Sequence, residues 1–191
     1  DDVDDTVAKT FEDAVARLSA AGARVSTIAF PELAEIPKVS ILGGFAAAEA
    51  YAIHREDLET RREAFDPRVA SRIDNGRKIS SADYVDLLAA RKRLCAAADA
   101  TSAPFDALIL PTTPRIAPHI ADLVESDEVY GKTNLLMLRN NALFNFLDRC
   151  AASVPCHAPG EAPVGMMVVG ETMGDARLLA VAKAIEGALS R

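Results

Sequence analysis

Six residues, Val164 to Val169 (VGMMVV), limit what this chain can fold into more than any other stretch. A strand with one wet face alternates apolar and polar side chains. Here both alternations are apolar, as expected of a strand covered on both faces of a sheet. Such a strand cannot stand alone. Upstream, Ala151 to Val154 is a second short apolar run, closed by Pro155. Between the runs, His157 to Pro163 holds Pro159, Gly160 and Pro163, a turn cluster. Before them, Leu143, Phe144 and Leu147 recur at helical spacing. The stretch Arg139 to Gly170 therefore predicts a helix end, a buried strand, a crossing and a second buried strand. It demands more sheet than it contains.

The rest of the chain supplies helices and one more apolar run. Val3, Val7, Phe11, Val15 and Leu18 form an amphipathic stripe that starts among aspartates and stops at Gly22. Arg24 to Phe30 mixes Val25, Ile28 and Phe30 and halts at Pro31, which predicts a strand. Pro37 to Arg62 has helical spacing (Ile41, Phe45, Ala48, Ala52), with Gly43 and Gly44 inside it. Each glycine costs about 1 kcal/mol against alanine, so they mark either a close backbone approach or a break between two helices. Glu49, His54 and Arg55 on its later turns suit surface contacts. Pro67 to Asn75 predicts a short helix stopped at Gly76. Ser80-Ser81-Ala82-Asp83 is a capping-box signature opening a long helix with Tyr84, Leu87, Leu88, Leu94 and Cys95 on its buried stripe. Phe105 to Leu110 predicts a buried strand running into Pro111-Thr112-Thr113-Pro114. Arg115 to Tyr130 is expected to be irregular, with helix resuming near Thr133. Thr172 to Asp175 offers an N-cap for a last helix carrying Leu178, Val181, Ala182, Ile185 and Leu189.

With 191 residues, half of them hydrophobic, the chain can bury a sizeable core and fits one domain, residues 1–191. A formal charge of −7 argues against nucleic acid as a partner, because phosphate binding needs clustered Lys and Arg. No apolar run approaches the roughly 20 residues that span a bilayer, and the first residues, DDVDD, show no signal-peptide pattern, having neither a basic start nor an apolar segment. It begins at Asp, which predicts a cut or processed start. Three cysteines (Cys95, Cys150, Cys156) are too few and odd in number for a disulfide framework and suit the reducing cytoplasm. No CxxC, HExxH or EF-hand spacing occurs, so neither a metal nor another cofactor is expected.

Several separate phrases resemble one family. Asn145-Phe146-Leu147-Asp148, then Ala152-Ser153-Val154-Pro155-Cys156, then Ala162-Pro163-Val164-Gly165-Met166 is similar in order and spacing to the closing portion of the amidase signature hydrolases. FDALILPTTP, from Phe105 to Pro114, is a second match, and Asp83-Tyr84 followed by Arg91 a weaker third. The resemblance implies an α/β fold: the C-terminal part of a mixed-sheet architecture, with helices packed on a central sheet. It implies hydrolysis of a carboxylic amide to a carboxylate and ammonia. In that chemistry a serine attacks the carbonyl, a second serine in a cis peptide relays protons, and a lysine is the base. Backbone N–H groups of a Gly-rich loop hold the oxyanion.

None of those reactive parts is present. No Gly-Gly-Ser-Ser-Gly run occurs, and no lysine stands in the family's catalytic context. The adjacent Ser80 and Ser81 lack flanking glycines and belong to a helix cap. The chain is therefore expected to be an incomplete, C-terminal portion of an amidase, without catalytic residues and inactive alone. The residues placed to touch a small-molecule amide are Thr112, Thr113, Asn145, Cys156 and His157. Thr112 and Thr113 lie beyond the carboxyl end of a strand, where open α/β sheets bind ligands; threonines between prolines serve equally as turn residues. Asn145 also suits a helix-end hydrogen bond, and Cys156 a buried structural thiol. Cys156 and His157 are neighbours on an extended chain and point to opposite sides, so they cannot pair with each other. His54 or His119 would have to be brought to Cys156 for thiol chemistry. Two other readings stand beside the first: a separate binding or interaction domain without catalysis, and a thiol hydrolase using Cys156. An unpaired sheet edge is expected, through which the chain could form a homo-oligomer.

Overall fold

The computed structural model describes residues 2–190. They form two compact units, Phe30–Ala98 and the residues on either side of it up to Ala29 and from Asp99 onward. The second of these holds the sheet. Strands β1 (Leu108–Pro111), β2 (Ala151–Pro155) and β3 (Gly165–Val169) pair in the order β1-β3-β2, all antiparallel. Pro111 lies opposite Met166, and Val154 opposite Met166 on the other side. The doubly apolar run is thus the central strand, and Met166 to Val169 are all buried.

The same unit carries α1 (Asp5–Ala20), and α6 (Ile120–Val124), α7 (Asp127–Phe146) and α8 (Asp175–Leu189). On one sheet face Val154, Cys156, Val164, Met166 and Val168 meet Val7, Ala14 and Leu18 of α1 and Leu178, Ala182 and Leu189 of α8. Each fully buried aliphatic side chain there contributes roughly 1.5–3 kcal/mol. Helix α1 starts at Asp4, whose Oδ1 accepts from the Val7 N–H at 2.7 Å. It closes as a Schellman motif, with Ala23 N–H donating to Leu18 O and Gly22 N–H to Ser19 O.

The other unit is helical: α2 (Glu32–Val39), α3 (Gly44–Thr60), α4 (Pro67–Asp74) and most of α5 (Ser81–Ser102). The stretch from Pro37 to Arg62 breaks at Gly43 and Gly44, whose φ values of +95° and +56° suit glycine. Both roles open to that pair are observed: the segment breaks there, and a Cβ at Gly43 would lie 2.9 Å from Ala47 Cβ. Leu58, Ala70 and Ile73 form a small core with Ala50, Tyr51 and Phe65 against it. The capping box forms at the start of α5: Ser80 N–H donates to Asp83 Oδ2 (2.9 Å) and Asp83 N–H to Ser80 Oγ (3.1 Å). Leu87 and Leu94 are buried as expected, whereas Leu88 is exposed.

Two local expectations are corrected. Arg24 to Phe30 forms no strand; residues 24–27 are exposed and no strand pairs with them among the described residues. Arg115 to Tyr130 is irregular only as far as His119; Ile120–Val124 is a short helix and α7 begins at Asp127, where Ser126 caps it through Val129 N–H and Asp127 and Glu128 favour its first turn. Helix α8 is capped inside the expected stretch, at Gly174, and Thr172 Oγ1 donates to Asp148 O at 2.7 Å.

Candidate functional site at one end of the sheet

The antiparallel register brings the carboxyl ends of β1 and β2 together with the start of β3. Beyond Pro111, Thr112 N–H donates to Gly165 O at 2.8 Å; beyond Pro155, Cys156 N–H donates to Val164 O at 3.0 Å. Thr112, Thr113, Cys156 and His157 therefore share one end of the sheet. Asn145 does not join them. It lies on the exposed side of α7, and its carbonyl accepts from Asp148 N–H at the helix end.

The two prolines fit the ladder. Odd-numbered residues of β2, and Pro111 in β1, direct their backbone N and C=O away from β3. Pro111 and Pro155 thus give up no hydrogen bond of the sheet. The outward carbonyl of Pro111 is met by the Asn140 side chain, whose Nδ2 donates to it at 2.7 Å. Asn140 is only 7% exposed and receives a bond from Arg139 Nε at 3.3 Å. Asp4 holds the far end of the same turn: its N–H donates to Pro114 O, and its Oδ2 accepts from Ile116 N–H, both at 2.9 Å. Thr113 Oγ1 donates to Arg115 O at 3.0 Å. The Pro111 to Ile116 turn is fixed from three elements.

Across the sheet end, Thr112 Oγ1 and Ser153 Oγ meet at 2.6 Å. They are diagonal neighbours on the face opposite α1 and α8, and Gly165 lies between them without a side chain. Ser153 is exposed and Thr112 half-buried.

Cys156 and His157 diverge, as expected of neighbours on an extended chain. The Cys156 thiol is buried on the core face, donates to Val164 O at 3.4 Å, and has its pKa raised by burial. His157 Nδ1 lies 3.2 Å from Val164 N and 3.1 Å from Val164 O. Without a hydrogen it accepts from the N–H; with one it donates to the carbonyl. Neither residue is poised as a nucleophile–base pair. Among the described residues no group of three or more His, Cys, Asp or Glu could hold a metal ion.

Residues 1–179 match the family model described as Amidase. This chain belongs to the amidase family. It is 32% identical over 192 residues to 2-amino-5-chloromuconic acid deaminase of Comamonas testosteroni, covering 100% of this chain and 41% of that protein. A solved amidase structure superposes with a TM-score of 0.79 at 26% identity, over 97% of this chain and 42% of that one. The urea amidolyase of K. lactis, also solved, superposes with a TM-score of 0.82 at 24% identity, over 95% of this chain and 11% of that one. The chain thus spans less than half the length of these relatives, and the expected α/β amidase signature fold is observed.

Asn140, Ser153 and Asp4 escape the sequence reading as site-building residues. Asn140 carries a usable signal: it stands on the stripe of Phe144 and Leu147, a lone polar residue at buried spacing. Ser153 has none beyond its place in a strand, because its partner Thr112 is distant in sequence.

Proposed function

We propose that the protein these residues belong to hydrolyses a carboxylic amide to a carboxylate and ammonia, with this chain as scaffold and pocket wall. Membership of the amidase family supports the reaction class. The observation that carries the scaffold role is the chemistry of the sheet end. Its thiol is buried, hydrogen-bonded to a carbonyl and pushed up in pKa, and its histidine is engaged with Val164. A thiol in that state is a poor nucleophile. The attacking serine, its cis-peptide partner and the lysine base would then come from residues other than these. Thr112, Thr113 and His157 form the wall that faces the amide, and Cys156 supports it from the core side. Asn145 contributes only to the helix end. Three cysteines, too few and odd in number for a disulfide framework, suit a reducing cytoplasm. Among the described residues β1 and β2 each pair on one side only, and their outer edges are where further sheet, or a second copy of the chain, would add.

The test is ammonia release from a panel of primary amides by two preparations, the product of the full reading frame and residues 1–191 alone. Turnover by the first and none by the second is expected, with the shorter preparation self-associating in sedimentation. Turnover by residues 1–191 that disappears with Cys156→Ala would replace the scaffold role with thiol chemistry. Absence of turnover by the full product on every amide would favour a binding domain.

A further inference from the structure

We infer that the Thr112–Ser153 hydroxyl bridge is a positioning device for the turn at the sheet end, and that residue 165 must be glycine because the bridge occupies its side-chain space. The Cβ of an alanine at 165 would lie 2.9 Å from Thr112 Oγ1 and closer still to Ser153 Oγ. Real Cβ contacts are not that short, so one hydroxyl would have to swing away. The bridge would then break.

The bridge matters because of what it ties. Thr112 already bonds through its backbone to Gly165 O, so β1 and β3 are joined at this point. Ser153 lies on β2, on the far side of β3. The hydroxyl contact therefore spans all three strands and links the turn from Pro111 to Ile116, through Thr112, to the outermost strand. Asn140 and Asp4 fix the backbone of that turn from α7 and from the start of α1. The bridge fixes the direction of the Thr112 side chain, which those contacts leave free. Two hydroxyls carry two hydrogens, and the bridge uses one. The pair thus presents a single remaining O–H donor from an oriented, solvent-accessible position, suited to an acceptor such as the carbonyl oxygen of an amide. This last step rests on the proposed amidase reading; the bridge and its exclusion of a side chain at 165 do not.

The test is a mutant cycle in the intact protein. Gly165→Ala is expected to lower Tm by about 3 °C, the loss of one hydrogen bond at this chain size. In the Ser153→Ala background the same change is expected to cost about 1 °C or less, because the nearer hydroxyl is gone and the Thr112 hydroxyl, released from the bridge, can turn away. Equal costs in both backgrounds would overturn the bridge. In amide turnover, Ser153→Ala is expected to raise KM roughly three- to tenfold with kcat within about twofold, and Ser153→Thr, which keeps the oxygen, to restore KM. Unchanged KM in Ser153→Ala, or no rescue by Ser153→Thr, would overturn the positioning role. If the intact wild-type protein turns over no amide, the amidase reading fails while the Tm cycle still decides on the bridge.

Discussion

Two glycines, one in each compact unit, are crowded in different ways. In the helical unit, Gly76 sits in the turn after α4 with backbone as its neighbour. An added Cβ would lie 2.6 Å from the Ala47 carbonyl carbon, nearer yet to the Ala47 oxygen, and 2.7 Å from Tyr51 Cβ. In the sheet unit, Gly165 is crowded by the ends of two hydroxyl side chains. A hydroxyl can rotate; a carbonyl inside α3 cannot move without its helix. The first glycine is needed for packing. The second is needed to let two side chains meet.

The largest effect expected from that contrast is at Gly76. Gly76→Ala should cost about 3 kcal/mol, at the upper end for overpacking, and lower Tm by roughly 6–12 °C. That is about two to four times the shift expected at Gly165. Denaturation midpoints of the two alanine variants, measured side by side, check it. Equal midpoints would erase the distinction between backbone crowding and side-chain crowding.

Much of this is legible in the sequence, and the losses have physical causes. The doubly apolar VGMMVV run predicts a strand covered on both faces, because it is too short for a helix and is flanked by Pro163 and Gly170. Ser80 and Asp83 announce their cap, because capping is local. Gly76 reads only as a helix stop; its contact with Ala47 joins positions far apart in the chain and has no local signature. The Arg24 to Phe30 strand fails for a related reason. Strand pattern states what a segment could bury, not whether a neighbour exists to pair its backbone. Ser126-Asp127-Glu128 reads as loop by its charge, although a hydroxyl followed by two acids is how a helix commonly starts. At the site, Thr112 and Cys156 can be placed because strand ends are visible. The Thr112–Ser153 contact cannot, since it depends on the register of three strands.

Asn140 sharpens the comparison from the sheet side. It is a buried polar residue whose donor meets the outward carbonyl of Pro111. Asn140→Ala leaves that oxygen without its side-chain donor and opens a small void, so a loss of about 2 kcal/mol is expected. Hydrogen exchange at Thr112 and Ile116, whose N–H groups bond to Gly165 O and Asp4 Oδ2, should quicken, while the amides of α3 and α4 stay as they were. If protection in the 111–116 turn is unaltered, that turn is not held by Asn140. The sheet end would then depend on Asp4 and the hydroxyl bridge.

The smallest effect lies back in the helical unit, at its capping box. Ser80→Ala removes the side-chain oxygen that accepts from Asp83 N–H and the hydroxyl that donates to Asp83 Oδ2 at 2.7 Å. A cap of this kind is worth about 1 kcal/mol. The Ser80 hydroxyl, and then the Ser80 backbone N–H, hold the Asp83 carboxyl below its ordinary value of 3.8. A folded pKa below the unfolded one means that the folded chain binds fewer protons in the interval between them. The Asp83 contribution is therefore complete above the ordinary value and fades as pH falls through the folded one. Wild type and Ser80→Ala should differ by a constant amount from neutral pH down to about 4 and draw closer below it. The remaining difference at low pH reflects the Asp83 N–H to Ser80 Oγ bond alone, which does not titrate. A gap of the same size at neutral pH and well below the ordinary carboxylate range would mean that the carboxylate takes no part in the cap. The start of α5 would then depend on the serine alone.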